Sequence, residues 1–101
     1  MTAQNRVKRL YLERMNSRVK KIRKLLAERN WTELRTEFGH VKSTASGFGF
    51  PDLTECAAYA EETIPPGEIS RASYLPATIE ATEQLLSRID TILIQARQQE
   101  I

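Results

Sequence analysis

The sequence predicts an all-α protein: an up-down antiparallel four-helix bundle in one domain over residues 1–101, with residues 1–16 as an N-terminal helical extension. Three observations carry this expectation. Apolar residues recur at steps of three and four along the chain, the period of a helix with one buried face. Proline and glycine gather at residues 47–51 and 64–67, between the periodic stretches. No stretch of useful length alternates as a strand does. Short connections between such helices favour antiparallel neighbours.

The first stripe is Val7, Tyr11, Met15, Val19, Ile22 and Leu26. It leaves open one long helix or two meeting near Asn16 and Ser17, where Ser17 could cap a restart. Arg18, Lys20, Lys21, Arg23 and Lys24 fill the opposite face. A second helix starts at Asn30, whose side chain can cap it, with Glu33 at the capping-box position. Leu34, Phe38, Val41, Ala45 and Phe48 form its stripe, and the helix is expected to run to Gly47 or Gly49. Trp31, just after the cap, is expected to cover the end of the bundle.

Pro51 suits the first turn of a third helix. Leu53, Cys56, Ala57 and Ala60 are its buried side, with Cys56 a small core residue rather than a reactive thiol. The run IPPG at 64–67 ends it, because two prolines cannot continue a helix. Residues 68–75 are ambiguous and leave room for a short helical turn. From Pro76 onward, Ile79, Leu86, Ile89, Leu93 and Ala96 mark a last long helix, widened by Leu85 and Ile92. Its tail, QARQQEI, is expected to fray.

Charge is unevenly distributed. Residues 1–35 hold eleven Lys and Arg against three acids, a net +8, and residues 36–101 hold four against ten, a net −6. This split fits either an acidic partner for the N-terminal part or pairing between the two halves of the fold. Nucleic acid is a poor partner for the basic face, because no aromatic interleaving or groove-reading motif accompanies it. No apolar run approaches the roughly 20 residues of a membrane span, and residues 1–12 lack the apolar core of a signal peptide. Cys56 is the one cysteine, so no internal disulfide and no multi-cysteine metal site can form. The expected location is the cytoplasm, with no membrane, metal or cofactor.

Enzyme chemistry finds no support either. There is no phosphate-cradling glycine loop after a strand, no metal-spaced His or Cys set and no Ser-His-Asp arrangement. Glu61 and Glu62, side by side near a helix end, read as solvated charges. That leaves the second helix, which carries the single histidine, His40.

Residues 30–60, NWTELRTEFGHVKSTASGFGFPDLTECAAYA, resemble the core of bacterial histidine phosphotransfer (HPt) domains. The resemblance covers about a third of the chain. It implies a four-helix bundle that exchanges a phosphoryl group with receiver-domain aspartates. In the family the reactive histidine is followed by an apolar residue two on, a lysine three on, a small residue four on and a glycine ten on. Without gaps, those positions are Val41, Lys42, Ser43 and Gly49, with Phe50 and Leu53 opening the next helix. Upstream, Asn30, Trp31 and Leu34 match the family's polar cap, aromatic and leucine. The histidine position itself falls on Gly39, one residue before His40.

One residue matters because of the helical period. With the core stripe as zero, Gly39, Lys42 and Ser46 project at about 80° to 140°, Ser43 near 180° and His40 near −120°. Lys42 therefore lies on the wrong flank to support a phosphoryl group on His40, since exposed charges are screened over about 8–10 Å. Three readings stay open. His40 is a phospho-acceptor, reached by a π-bulge in the second helix or by docking on another flank. Alternatively, the chain is a degenerate HPt-like protein that docks a receiver through Gly39, His40, Lys42, Ser43 and Ser46 and transfers nothing. The third is a helical interaction module unrelated to phosphorelay, binding through its basic face. The second is preferred. The resemblance implies a response-regulator receiver or histidine kinase as partner, Leu12 and Met15 are further apolar docking candidates, and the length of the first helix leaves a homodimer open.

Overall fold

The structure is a computed structural model that describes residues 3–99. Four helices follow in order: α1 Ala3–Ala27, α2 Trp31–Ala45, α3 Pro51–Glu62 and α4 Pro76–Gln99. They form an all-α bundle with no strands among the described residues. Each helix packs against its two neighbours in a closed ring, α1 on α2, α2 on α3, α3 on α4 and α4 on α1, with the α2–α3 contact the most extensive.

Side-chain pairs give the helix directions. Tyr11 meets Phe48 while Arg18 meets Glu37, so α1 and α2 run antiparallel. Lys42 reaches Glu61, and Arg35 donates to the Pro65 carbonyl oxygen, which sets α3 against α2. Asp52 faces Arg88, and Thr63 faces Thr78. The short links α1–α2 and α2–α3 favour antiparallel neighbours, while the longer connection over residues 63–75 carries the chain from α3 to α4.

α1 is one continuous helix with no restart at Ser17. The segment expected as an extension joins the core directly, since Tyr11 and Met15 are both buried. Tyr11 stacks on Phe48 with ring centroids 4.3 Å apart and on Phe50 at 6.0 Å. Val7, read as the start of the stripe, has a side chain outside the described residues.

Two tight turns frame α2, and both close by the same bonds. Before it, the Arg29 N–H donates to Leu26 and the Asn30 N–H to Leu25. After it, a 3₁₀ turn over Ser46–Phe48 ends in Gly49 donating to Ser46 and Phe50 donating to Ala45. This pattern satisfies carbonyls that a helix end leaves unpaired, and it needs a left-handed residue at its centre. That residue is Gly49 (φ 88°) in the second turn and Arg29 (φ 55°) in the first. Asn30 caps α2 through its side chain, which accepts from the Glu33 N–H.

The core holds Trp31, Leu34, Phe38 and Val41 of α2, Leu53, Ala57 and Ala60 of α3, and Ile22 and Met15 of α1. Cys56 is half-buried rather than a core residue. It sits about 60° to one side of the Leu53–Ala57–Ala60 line, at the edge of the buried face. On α4 the innermost line is Thr78, Ala81, Thr82, Leu85 and Ile89, and Ile79 and Leu93 flank it. The two threonines are tolerated inside because their hydroxyls donate, Thr82 to the Thr78 carbonyl and Thr78 to Thr63. Residues 68–75 contain no helix, and α4 stays helical through Gln99, into the tail expected to fray. Trp31 is fully buried and donates its indole N–H to the Ser73 carbonyl at 3.2 Å, pinning the long connection over the bundle end.

Candidate functional site

The period of α2 divides its exposed residues between two flanks. α2 is regular over Trp31–Ala45 and contains no π-bulge. On the flank facing α3, the Lys42 ammonium donates to Glu61 Oε1 at 2.5 Å. Gly39 lies one turn earlier on this flank. A Cβ placed on Gly39 would stand 3.0 Å from Glu61 Oε2, closer than ordinary van der Waals contact. Glu61 thus leans over the bare backbone of Gly39 while holding Lys42. Both partners are partly exposed, 41% for Lys42 and 27% for Glu61, so their pair is formed at the surface and screened by solvent.

The other flank faces α1. His40 Nδ1 stands 3.4 Å from Arg18 Nη1 and 3.5 Å from Glu37 Oε2. Glu37 is buried, and Arg18 donates to it at 3.2 Å, with Lys21 at 3.6 Å. Burying a carboxylate is costly unless it is paired, and this one is surrounded by cationic groups from α1. His40 itself keeps 58% of its side chain exposed. Its imidazole therefore neighbours an ion cluster that fastens α1 to α2, far around the helix from Lys42.

Ser43 and Ser46 are exposed. The Ser43 hydroxyl donates back to the Gly39 carbonyl at 2.9 Å and to that of His40 at 3.2 Å, and Thr44 donates to His40 at 2.8 Å. Ser46 falls past the end of α2, in the 3₁₀ turn. Half-buried Gly39 and Lys42 and exposed Ser43 are thus one strip of α2, bordered by α3, with Ser46 at its end. Met15 cannot belong to a docking surface, as only 2% of it is exposed, and Leu12 is half-buried.

Two residues that matter here were not legible as such. Glu37 lies at about −60° from the core stripe, on its buried edge, and an acid there signals a cationic partner on a neighbouring helix. Glu61, read as a solvated charge, is partly buried against α2 instead. Its partners are 19 and 22 residues away in sequence, so no local spacing announces them. The charge asymmetry is partly consumed inside the fold: Arg18 and Lys21 pair with Glu37, and Arg23 with Asp90.

Among the described residues no group of three or more His, Cys, Asp or Glu side chains could hold a metal ion. No described helix is long and apolar enough to cross a membrane. Neither a protein of curated function nor a solved structure matches this chain. The family model of the Hpt domain does match it, over residues 6–99, which runs from the second turn of α1 to the last described residue of α4. With four antiparallel helices and a match across nearly the whole chain, the protein belongs to the Hpt domain family.

Proposed function

We propose that this chain is an HPt-type docking protein for response-regulator receiver domains, one that carries no phosphate at the family's usual position. Membership of the family places the chain in two-component phosphorelay signalling, among proteins that meet histidine kinases and response regulators and act as phosphoryl carriers rather than enzymes. It also sets aside a helical module unrelated to phosphorelay. The observation that carries the proposal is the flank of Gly39: a residue without a side chain, with the Lys42–Glu61 pair closed beside it. Glycine offers no nucleophile. The strip of Gly39, Lys42, Ser43 and Ser46 still offers a low, polar surface on which a receiver can dock.

A second reading has one observation in its favour. His40 is exposed, and the Arg18 guanidinium beside it is a cation that could stabilise a phosphoryl group. A receiver docked on the α1–α2 flank would then be phosphorylating His40. The regular α2 gives no bulge that would bring His40 round to Lys42.

Receivers carrying a radiolabelled aspartyl phosphate separate these readings when mixed with wild type and His40→Gln. Receiver binding without label on either protein is the outcome expected here. Label on wild type that disappears in His40→Gln establishes the second reading and overturns the first. Absence of binding to any receiver removes both.

A further inference from the structure

Resting on the docking reading, we propose that Glu61 is a second closing element of this site, so that a phospho-accepting side chain at position 39 requires a change at position 61 as well. Glu61 Oε2 lies 3.0 Å from the point where a Cβ on residue 39 would stand, so the carboxylate uses the space a side chain there would need. A side chain at position 39 therefore requires the carboxylate to give by at least a few tenths of an ångström.

Charge adds a second obstacle. Lys42 is the cation placed to support a phosphoryl group on this flank, and its ammonium is bonded to Glu61 Oε1. A charge-assisted bond of this kind is among the stronger hydrogen bonds a surface can make. Lys42 therefore brings little net positive charge to the flank, and the carboxylate that neutralises it repels an incoming anionic phosphoryl group. Glu61 is 27% exposed in its side chain and α3 holds its backbone against α2, so the carboxylate can turn about its own side-chain bonds but stays near the site. Gly39 and Glu61 thus form one arrangement: the glycine leaves room for the carboxylate, and the carboxylate holds the lysine.

The reaction under test is defined. The neutral imidazole nitrogen of the introduced side chain attacks phosphorus, the P–O bond to the receiver aspartate breaks, and that aspartate leaves as a carboxylate. The N–P bond forms, and the proton on the other ring nitrogen stays there or passes to solvent. No further reactant is needed.

The experiment compares wild type, Gly39→His, Glu61→Ala and the combined Gly39→His/Glu61→Ala, each mixed with a panel of bacterial receivers carrying radiolabelled aspartyl phosphate. Receiver binding is measured in parallel by calorimetry. The proposal expects the double variant to gain label at least about tenfold faster than Gly39→His when each is compared at receiver concentrations that saturate it. Equal labelling of the two, or no label on either while binding persists, overturns the proposal and leaves the docking reading standing. Loss of binding by wild type overturns both. Should Gly39→His fail to fold, thermal melts of Gly39→Ala supply the test. A larger gain in Tm from Gly39→Ala in the Glu61→Ala background than in wild type supports the shared volume, and equal gains overturn it.

Discussion

Arg18 reaches from α1 to Glu37 on α2, its Nη1 3.2 Å from a carboxylate whose side chain is only 6% exposed. This contact lies on the flank opposite Lys42 and ties the basic face of α1 to the helix that carries the candidate site. The two partners differ in burial, because Arg18 keeps 27% of its side chain in solvent. Removing one partner is therefore not equivalent to removing the other. Arg18→Met should cost about 1–3 kcal/mol, since it leaves a buried carboxylate with weaker partners. Glu37→Gln should cost less, because the guanidinium it releases can turn to water. Urea denaturation of both variants measures the difference, and a larger loss for Glu37→Gln would contradict this account.

His40 should be dispensable for the fold. Its imidazole is 58% exposed and sits at the rim of the Glu37 cluster, where an ion pair contributes about 0–1 kcal/mol. His40→Gln should unfold within about 0.5 kcal/mol of wild type and bind receivers with unchanged affinity. Thermal melts and a receiver titration check both halves. A drop in affinity would place the docking surface on the α1 flank.

The two turns flanking α2 make opposite predictions. Gly49, with φ 88°, holds a backbone conformation that a Cβ disfavours, so Gly49→Ala should destabilise by about 1–2 kcal/mol. Arg29 holds φ 55° and already bears that strain, with its guanidinium 6.0 Å from the centre of the Tyr74 ring. Arg29→Gly should therefore stabilise, by about 0.5–1 kcal/mol once the lost ring contact and the freer unfolded chain are counted. Equilibrium denaturation of the pair reads both signs at once.

Tyr11 makes stability sensitive to alkali. Burial pushes its phenol above the ordinary value of 10.0, and the neighbouring Thr44 hydroxyl and Arg18 charge offset only part of that rise. The unfolded chain thus gives up this proton before the folded one does. Between the two values it binds fewer protons than the native state, and stability falls as pH rises. The contribution is fully present below about pH 10 and declines above it. Tyr11→Phe should flatten the decline, measured as Tm against pH from 8 to 11 at about one-unit steps. An unchanged slope would assign it to other groups.

Much of the site could be read before any coordinates, and the unread part has a common cause. The separation of His40 from Lys42 follows from the α-helical period alone, because 200° between residues two apart holds in any regular helix. The places of Gly49 and Pro51 at the turn into α3 were equally legible, since only particular residues suit those backbone angles. Met15 and Cys56 show the limit. Both sit on apolar-looking faces, and only the packing of neighbouring helices decided that Met15 is sealed and Cys56 is half-exposed. Thr78 and Thr82 were overlooked on α4 because hydropathy marks them polar, although hydroxyl bonds to Thr63 and to the helix backbone allow them inside.

By itself, then, the chain's order of residues determined that there are helices around these stripes, where α2 and α3 start, most of the face each turns inward, and that Gly39 and His40 project to different sides of α2. These depend on local backbone preference and on a fixed period. Tertiary structure alone decided who meets each flank: Glu61 of α3 over Gly39 and on Lys42, and Arg18 of α1 beside Glu37 and His40. Those partners are distant in sequence, and a charge or a carboxylate oxygen acts over only a few ångströms. The bundle had to form before their distances, and so their chemistry, existed.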